Sequence, residues 1–472
     1  MKKVGINNLT SRLSNGGEMK LKPEIFRQYD IRGIENKDLT AESVTILGKG
    51  IGTYFRRNNC RQVALGQDCR LSSPKFAEAL SNGLHSTGCD VIDIGVVPTP
   101  LLYFTIYQKN VDSGVMITGS HNPPEYNGFK MMMGKETLYG DSIQDIFQII
   151  DKNDLLQDKP GTYSTLSIIP EYQDYVVKNI KLKKPLKIVI DAGNGTGGEV
   201  AVPIFKQLGC DVIELYCEMD GNFPNHHPDP TIPEALSELI QTVRETDADL
   251  GIAYDGDADR IGVIDNKGNI IWGDKLMILL ARDILPKYPG APVISEVKAS
   301  QLLYSEIERL GGRPVMWKTG HSLIKKKIRE ENAVLAGEMS GHIFFNDRFF
   351  GFDDAIYSSA RVAEIVANSD KNLHSLLADL PELYNTPEIR VESTDENKFK
   401  IVEKVKEELS KKYPIIDIDG VRANFPHGWA LVRASNTQGV LVLRFEADTQ
   451  EHLNAIQKEV EDVIKKVKKQ FN

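Results

Sequence analysis

Cysteine is scarce in this chain of 472 residues, and long apolar runs are absent. The five cysteines are odd in number and include no C-x-x-C pair, which argues against a disulfide framework and against common zinc sites. No apolar run approaches the roughly 18 residues that a membrane-spanning helix needs. The N-terminal region has no apolar stretch typical of a secretory signal. We therefore expect no membrane partner, and a reducing, cytoplasmic location.

Positive charge is not in excess either. Lysine and arginine number 57 and aspartate and glutamate 66, so the formal net charge is −9. A nucleic-acid surface needs a basic stripe, so no nucleic-acid partner is expected. A small anionic substrate remains compatible, because positive charge is needed only where the anion binds. The composition, 41% hydrophobic and 26% charged, is typical of a globular protein with about three or four domains at this length.

Most of the chain alternates short β-rich runs with helical stretches, which predicts α/β layers with mixed sheets. Three times a glycine that can end a helix in the left-handed conformation is followed at once by a strand, at Gly88, Gly209 and Gly311. These glycines lie roughly 100 residues apart, about one domain length. We predict three similar α/β domains in tandem, although helix–glycine–strand is also a common connection.

The C-terminal part has a different pattern. A strand is predicted over Pro387–Glu392, and Ser393 or Thr394 is predicted to cap a helix with apolar positions from Phe399 to Leu409. Two strand-like runs and a helix with a regular apolar stripe follow, which together predict a smaller α+β domain. The predicted divisions are a polar N-terminal tail at 1–22, domain 1 at 23–166, domain 2 at 167–270, domain 3 at 271–385 and domain 4 at 386–472.

A serine lies on a loop directly after a strand-like run. Val115-Met116-Ile117 leads into T-G-S-H-N-P-P, in which Gly119 permits a strained turn before Ser120. A serine presented rigidly beside His121 and Lys130 can act as a nucleophile. An isolated T-G-S would more often be an ordinary polar turn. The length of the whole pattern favours a functional loop.

Three carboxylates follow another strand-like run. Asp255, Asp257 and Asp259 alternate with small residues, so in an extended loop they point the same way. Like charges that converge need a cation among them, and oxygen ligands suit Mg²⁺. Arg260 adds a positive charge beside them. A solvated acidic turn is the alternative, but it explains three aspartates at this spacing poorly.

Two weaker motifs suit the rest of a phosphosugar. In G-E-M-S-G-H, Glu338 and Ser340 alternate between glycines, an arrangement that can grip vicinal sugar hydroxyls. In R-A-S-N-T-Q-G, which begins at Arg433, a guanidinium, two hydroxyls and an amide stand close together, with Arg444 further along. That chemistry suits a phosphate dianion. Taken alone, each motif is equally compatible with a plain polar turn.

The four motifs lie one per predicted domain, and a cleft between the domains would collect them. A nucleophile, a metal site, a sugar grip and a remote phosphate clamp fit an enzyme that moves a phosphoryl group between two positions of one sugar. One alternative is a metal-dependent sugar phosphatase with Asp255 as nucleophile, which leaves Ser120 and the clamp without a role. Another is a catalytically silent regulator that binds sugar phosphates.

The ordered motifs resemble those of the α-D-phosphohexomutase superfamily, and within it the bacterial phosphomannomutase/phosphoglucomutase group. The segment T-G-S-H-N-P-P-E-Y-N-G-F-K matches that group's serine loop almost letter for letter, and D-G-D-A-D-R, G-E-M-S-G-H and R-A-S-N-T match its other loops. The resemblance extends from about Pro23 to the C-terminus. T-G-S-H-N in place of A-S-H-N points away from phosphoglucosamine mutases, whose activity stays as an alternative.

The resemblance implies three similar α/β domains and a fourth that resembles the TATA-binding-protein fold, around a central cleft. It implies reversible interconversion of hexose 1-phosphate and hexose 6-phosphate, of mannose, glucose or both. A phosphoserine enzyme and a hexose 1,6-bisphosphate would be the intermediates, and Mg²⁺ the cofactor. The expected partners are small phosphosugars, and the chain is expected to be a monomer or a weak homodimer.

The resemblance also assigns roles to residues. It implies that Ser120 carries the phosphate and binds the metal together with Asp255, Asp257 and Asp259. The other catalytic residues implied are Arg32, Lys130, Arg260 and His321. The substrate-binding residues implied are Tyr29, Lys298, Glu338, Ser340, His342, Arg433, Ser435, Asn436 and Thr437. Gly439 stands where the group usually has proline, which would loosen the phosphate loop.

Overall fold

A computed structural model describes residues 21–435 and 439–471 of the chain. Asn436, Thr437 and most of the predicted N-terminal tail therefore lie outside the described residues. Within the described ranges, four β-sheets follow one another along the chain. None of the helices in these ranges combines the length and the apolar character that crossing a membrane demands.

The first sheet has seven strands. They are β1 (Ile31–Ile34), β2 (Gln62–Gln67), β3 (Asp90–Val96), β4 (Ser113–Ile117), β5 (Tyr126–Met133), β6 (Glu136–Thr137) and β7 (Tyr163–Thr165). The helices among them are α1 (Ala41–Arg57), α2 (Ser73–Ser86), α3 (Thr99–Lys109) and α4 (Asp141–Asp151). The order β1-β5-β4-β2-β3-β7, with β6 beside β5, combines parallel pairs with antiparallel ones at β1, β5 and β6.

The second sheet follows α5 (Ile169–Asn179). Its elements are β8 (Lys187–Asp191), α6 (Gly198–Gln207), β9 (Asp211–Leu215), α7 (Ser237–Thr246), β10 (Leu250–Tyr254), β11 (Ile261–Asp265) and β12 (Ile270–Ile271). The strand order is β12-β11-β10-β8-β9. A 3₁₀ turn, Pro233–Leu236, leads directly into α7 at Ser237.

The third sheet has four strands. Its elements are α8 (Gly273–Ile284), a 3₁₀ turn (Leu285–Lys287), β13 (Pro292–Glu296), α9 (Gln301–Arg309), β14 (Arg313–Trp317), α10 (His321–Glu331), β15 (Leu335–Gly337) and β16 (Ile343–Phe345). Two helices, α11 (Ala355–Ala367) and α12 (Leu373–Leu377), complete the domain. The strand order is β14-β13-β15-β16.

The three sheets share one arrangement. In each, a strand, a helix and a parallel neighbouring strand follow one another: β2-α2-β3, β8-α6-β9 and β13-α9-β14. The next strand, β4, β10 or β15, lies on the other side of the first and is followed by an antiparallel strand. Gly88, Gly209 and Gly311 have φ of +83°, +86° and +76°, as the helix–glycine–strand pattern requires. The prediction of three similar α/β domains is confirmed.

The fourth sheet is antiparallel and differs from the others. Its elements are β17 (Tyr384–Asn385), β18 (Ile389–Glu392), α13 (Lys398–Leu409), β19 (Ile415–Ile416), β20 (Val421–Phe425), β21 (Gly428–Ala434), β22 (Val440–Ala447) and α14 (Gln450–Lys468). The order is β17-β22-β21-β20-β19, with β18 also beside β22. The predicted α+β composition is confirmed, and the arrangement is consistent with a TATA-binding-protein-like fold.

Details of helix α13 differ from the prediction. The helix begins at Lys398, and Thr394 lies one turn earlier, where its hydroxyl accepts the Asn397 N–H. Phe399, predicted as an apolar position of the helix, is 54% exposed, whereas Val405 and Leu409 are buried. The apolar stripe of α14 packs into the domain core as expected.

The cores show how strongly the domains are joined. One apolar cluster extends through the first three domains and includes Leu102, Ile252 and Leu279, whereas the fourth has its own core. Strand pairing suggests different positions for two of the predicted boundaries. Strand β12 pairs with β11 and crosses the predicted division after 270, and β17 pairs with β22 although it precedes 386. We therefore propose that domain 2 ends at 271 and domain 4 begins at 384.

Candidate active site

Ser120 lies in the loop between β4 and β5, where its hydroxyl faces the second domain. Its φ is +51°, and the residue is 3% exposed. The backbone N–H donates to the Thr118 hydroxyl at 2.8 Å. The Ser120 hydroxyl donates to Asp255 Oδ2 at 2.9 Å and lies 3.2 Å from His121 Nδ1. The first two predicted motifs therefore meet across a domain boundary.

The three aspartates lie in the loop between β10 and β11. All three are fully buried, and one carboxylate oxygen from each lies within 4.8 Å of the other two. Among the described residues, Asp257 Oδ1 and Asp259 Oδ1 are buried without a hydrogen-bond partner. Buried polar atoms are normally satisfied, so these oxygens fit a cation that they would coordinate. The residues present therefore suit a bound divalent metal.

Lys130 on β5 offsets part of this negative charge. Its ammonium donates to Asp257 Oδ2 at 2.6 Å and also to Asp259 Oδ2. Burial alone would lower the pKa of Lys130, but Asp257 and Asp259 outweigh it and hold that pKa well above its ordinary value. Burial, followed by the charges of Asp257 and Asp259, raises the pKa of Asp255 well above its ordinary value. The positive charges nearby therefore do not fully compensate the negative charge of an ionised Asp255.

Arg260 joins the aspartate loop to the G-E-M-S-G-H segment at 337–342, the predicted sugar loop. Its Nε donates to His342 Nε2 at 3.1 Å, and the N–H of Ile261 donates to the Gly341 carbonyl at 3.0 Å. Arg32 lies on the neighbouring part of the first domain, where β1 pairs it with Gly128 on β5. Its guanidinium donates to Asp30.

A second buried group of charges lies beside His342. Asp353 Oδ2 is 3.3 Å from His342 Nδ1 and 3.4 Å from His321 Nδ1. The Lys325 ammonium donates to Asp353 Oδ1 at 2.8 Å and lies 3.2 Å from His321 Nδ1. The two imidazole rings stack with centroids 5.4 Å apart. Burial, with the charge of Lys325, lowers the pKa of His321 well below its ordinary value, so its imidazole is neutral near pH 7.

The predicted sugar loop lies against the start of α10. Glu338 is buried, and its Oε1 accepts the Gly320 N–H at 2.7 Å. Burial raises the pKa of Glu338 above its ordinary value. Ser340 is partly exposed. Tyr29 reaches the same turn from the first domain, because its hydroxyl donates to the Thr319 carbonyl at 3.0 Å.

The predicted phosphate loop, which begins at Arg433, meets the third domain through Asp419. The Arg433 guanidinium contacts Asp419 Oδ2 with Nη2 at 3.0 Å and Nε at 3.2 Å, and the Thr319 N–H donates to the same oxygen at 3.1 Å. The Lys298 ammonium lies 3.6 Å from Glu388 Oε2. Ser435 is buried, and its N–H donates to the carbonyl at 440.

A cavity of about 550 Å³ opens beside these groups. It is lined by residues of the first, third and fourth domains, among them Tyr29, Lys318, Asp419 and Gly420. Tyr29 and Asp419 also contact Thr319, so the cavity adjoins the turn that precedes α10. The contacts of Ser120 with Asp255, of Arg260 with His342 and of Glu338 with Gly320 link the first three motifs. Asp419 links Thr319, next to Gly320, to Arg433 of the fourth motif.

Several residues of the site were not predicted. Thr99 donates from its hydroxyl to Asp257 Oδ2, and Asp353 and Lys325 support the two histidines. Arg70 donates to the Ser120 carbonyl, and Asp68 accepts the Gly119 N–H, so both residues bind the serine loop. Only these last two carried a usable signal, because they are charged residues directly after strand β2, where α/β proteins place functional loops.

Comparison with known proteins agrees with this architecture. Models of the phosphoglucomutase/phosphomannomutase family match in order along the chain. The α/β/α domain I model matches residues 23–157, domain II 170–268, domain III 272–384 and the C-terminal domain 388–463.

Individual proteins match over nearly the whole chain. A phosphomannomutase/phosphoglucomutase of Pseudomonas aeruginosa is 49% identical over 437 residues, which cover 92% of this chain and 94% of that protein. A phosphoglucomutase of Neisseria gonorrhoeae is 47% identical over 445 residues, 93% of this chain and 96% of that protein. The crystal structure of a phosphoglucomutase/phosphomannomutase family protein from Burkholderia thailandensis superposes with a TM-score of 0.90 at 42% identity, covering 95% and 98% of the two chains. This chain belongs to the phosphoglucomutase/phosphomannomutase family.

Proposed function

We propose that this protein reversibly converts hexose 1-phosphates to hexose 6-phosphates, with mannose and glucose phosphates as substrates. The observation that carries the proposal is the hydrogen bond from the Ser120 hydroxyl to Asp255, at a buried cluster of three aspartates. The names of the Pseudomonas and Neisseria relatives support the same reaction class.

The reaction begins with phosphoserine at position 120. The bond from phosphorus to the seryl oxygen breaks as the 6-hydroxyl of a hexose 1-phosphate forms its own bond to phosphorus. The resulting hexose 1,6-bisphosphate reorients within the cleft. Its 1-phosphoryl group then passes to the Ser120 oxygen, which releases hexose 6-phosphate and restores the phosphoenzyme. Two anion-binding regions are needed, because one phosphate is held while the other reacts.

Asp255, Asp257, Asp259 and the Ser120 oxygen would hold Mg²⁺. When bound, the ion supplies positive charge beside the transferring phosphoryl group, since such transfer depends mainly on positioning and electrostatics. The chain adds Lys130 and Arg260, of which Lys130 already contacts two of the aspartates. These side chains stabilise the charge that develops on the phosphoryl oxygens.

The hydroxyl proton needs an acceptor, and Arg32, Lys130 and His321 are the candidates. The carboxylates around Lys130 hold its pKa well above the ordinary value, so the ammonium keeps its proton and cannot accept another. Arg32 is disfavoured because a guanidinium is a poor base. The lowered pKa of His321 leaves a neutral imidazole that can accept a proton. We therefore propose His321 as the acceptor, with the Lys325 ammonium and the Asp353 carboxylate beside its Nδ1.

The substrate would lie between the two ends of the site. Glu338, Ser340 and His342 would contact the sugar. Tyr29, Lys298, Arg433 and Ser435, together with Asn436 and Thr437, would hold the phosphate that does not react. A carboxylate and a hydroxyl suit vicinal sugar hydroxyls, and a guanidinium suits a phosphate dianion.

A coupled assay tests the proposal. Glucose, mannose and glucosamine 1-phosphates are supplied separately, with Mg²⁺ and a catalytic amount of glucose 1,6-bisphosphate, and both hexose 6-phosphate and inorganic phosphate are measured. We expect hexose 6-phosphate from glucose and mannose 1-phosphates, with little inorganic phosphate. Activity on glucosamine 1-phosphate alone would identify a phosphoglucosamine mutase, and release of inorganic phosphate alone would identify a phosphatase.

A further inference from the structure

We propose that Arg70 is a positioning residue that holds the serine loop in its reactive conformation, with Asp68 as its partner. The inference rests on the proposed function, because it concerns the efficiency of phosphoryl transfer at Ser120. Neither residue is within the four motifs that identified the site. Both lie in the short connection between β2 and α2.

Arg70 is completely buried and directs its guanidinium into the serine loop. Nη2 donates to the carbonyls of Ser120 at 2.7 Å and Asn122 at 2.6 Å. Nη1 donates to the carbonyls of Pro123 at 2.6 Å and Tyr126 at 3.1 Å. One planar group thus contacts both ends of the loop, which a single lysine could not do with the same geometry.

Asp68 completes the arrangement. Its Oδ2 accepts Arg70 Nε at 3.0 Å and the Gly119 N–H at 3.0 Å. Its Oδ1 accepts the Ser73 hydroxyl at 2.5 Å. The carboxylate therefore neutralises the buried guanidinium and holds the residue immediately before the nucleophile. A buried ion pair with all of its donors used is costly to disrupt by removing one partner.

The backbone of the loop has the conformation that this contact requires. A Cβ atom on Gly119 would lie 2.4 Å from Arg70 Cζ, so only glycine lets the guanidinium approach this closely. The next residue, Ser120, has φ of +51°, a left-handed conformation that is strained for any residue other than glycine. The hydrogen bond from Arg70 to the Ser120 carbonyl acts on this strained residue directly.

The second domain covers the same group from the other side. The ring of Phe223 lies over the guanidinium, with Arg70 Cζ 5.0 Å from its centroid. Gly221 packs so closely that an added Cβ would lie 2.9 Å from Arg70 Cα. The aspartate loop touches the serine too, since a Cβ on Gly256 would lie 2.5 Å from the Ser120 carbonyl oxygen. Arg70 therefore aligns the serine loop with the domain that carries the aspartates.

A positioning role and a merely structural one have different consequences. The residues that would bind the phosphosugar lie mainly in the third and fourth domains, away from Arg70. Loss of the Arg70 guanidinium should therefore lower kcat and slow phosphorylation of Ser120, with little change in KM. Misplacing a reacting group by about 1 Å is sufficient for a loss of about a hundredfold.

The test compares Arg70→Met with Arg361→Met. Arg361 is a matched control because it is equally buried and also ion-paired, to Asp347, but lies in α11 away from the serine loop. We expect Arg70→Met to lower kcat about a hundredfold with KM changed less than about threefold. Phosphorylation of Ser120 by glucose 1,6-bisphosphate, followed by intact mass, should slow in parallel. Arg361→Met should lower the melting temperature while kcat stays near the wild-type value.

A second variant keeps the proposal testable if Arg70→Met does not fold. Gly119→Ala retains the ion pair but forces the loop away from the guanidinium, and we expect the same selective fall in kcat. An unchanged kcat in either folded variant, or an equal fall in Arg361→Met, overturns the proposal while the proposed function stands. A wild-type protein without mutase activity would instead overturn the proposed function, and this inference with it.

Discussion

The two ends of the candidate site are built differently. At the reacting end, the serine and aspartate loops bond directly to each other, the aspartates also bond to Lys130, and nearly every charged group is buried. At the binding end, the contact of Arg433 with the third domain runs through one carboxylate, Asp419, beside a cavity of about 550 Å³. The first region shares a continuous apolar core, whereas the fourth domain has a core of its own.

This difference matches the separate tasks that we propose for the two regions. Phosphoryl transfer gains from groups that are already in place, because little reorganisation is then needed in the transition state. A site that must bind either phosphate of a reorienting bisphosphate gains from protein contacts that the phosphate can replace. Phosphate can compete with Asp419 for the Arg433 guanidinium. Changes at the reacting end should therefore lower kcat, and changes at the binding end should raise KM.

The largest effect is expected from Ser120→Ala. Without the seryl oxygen no phosphoenzyme can form, so mutase activity should fall by at least about a thousandfold. The coupled assay measures the loss, and intact mass measures the absence of bound phosphate. Ser410→Ala, at an exposed position at the end of α13, serves as the control. Normal mutase rates in Ser120→Ala would contradict the assignment of Ser120.

Asp257→Asn should have the next largest effect. The substitution removes one ligand charge and leaves Lys130 less well neutralised, so kcat should fall about a hundredfold and more Mg²⁺ should be needed for half-maximal activity. A Mg²⁺ titration of the initial rate measures both quantities. Asp265→Asn is the matched control, because Asp265 is also buried in the second domain but caps a turn. An identical Mg²⁺ dependence in wild type and Asp257→Asn would count against this metal site.

Arg433→Ala tests the binding end. Losing charge-assisted hydrogen bonds worth about 1.5–3 kcal/mol should raise KM for both hexose phosphates roughly tenfold to a hundredfold, with a smaller change in kcat. Initial rates in both directions give the two parameters. Arg309→Ala, which removes an exposed arginine from the third domain, should leave KM unchanged. A fall in kcat without a rise in KM would show that the proposed division of tasks is wrong.

Asp354 provides a smaller test at a buried carboxylate without an assigned role. Burial raises its pKa to about 7, although the Tyr357 N–H and the Tyr172 hydroxyl donate to it. Between about pH 4 and pH 7 the unfolded chain releases a proton that the folded protein keeps. The free energy of unfolding should therefore decrease as pH rises, by at most about 1.4 kcal/mol per pH unit, and level off above pH 7.

Asp354→Asn should lose that part of the pH dependence, because the amide does not titrate. Urea unfolding of both proteins at several pH values, followed by circular dichroism, makes the comparison. Parallel curves for the two proteins would mean that Asp354 titrates near its ordinary pKa in the folded state.

The reacting loops could be predicted from the sequence because each is a continuous segment. Ser120 and the three aspartates follow apolar strands, and the alternation of small and charged residues carries the chemistry locally. The repeat marked by Gly88 and its counterparts is also local, since it depends on a single backbone conformation. These features could be predicted without knowing which segments meet.

The supporting residues could not be predicted in the same way. Thr99 and Asp353 reach the site from distant parts of the chain, and nothing near them in sequence indicates their partners. The boundary near 270 depends on the pairing of β12 with β11, a register that only the folded sheet defines. Phe399 fits the apolar spacing of a helix but is exposed, because the spacing alone does not show which positions pack against the rest of the domain.

The most direct test of the central claim follows a labelled phosphate through one turnover. Protein carrying ³²P on Ser120 is mixed with an excess of unlabelled glucose 1-phosphate and Mg²⁺, and the products are separated. We predict that the label appears in glucose 6-phosphate while Ser120 becomes phosphorylated again with unlabelled phosphate. Label released as inorganic phosphate, or label retained on the protein while glucose 6-phosphate forms, would contradict transfer through Ser120.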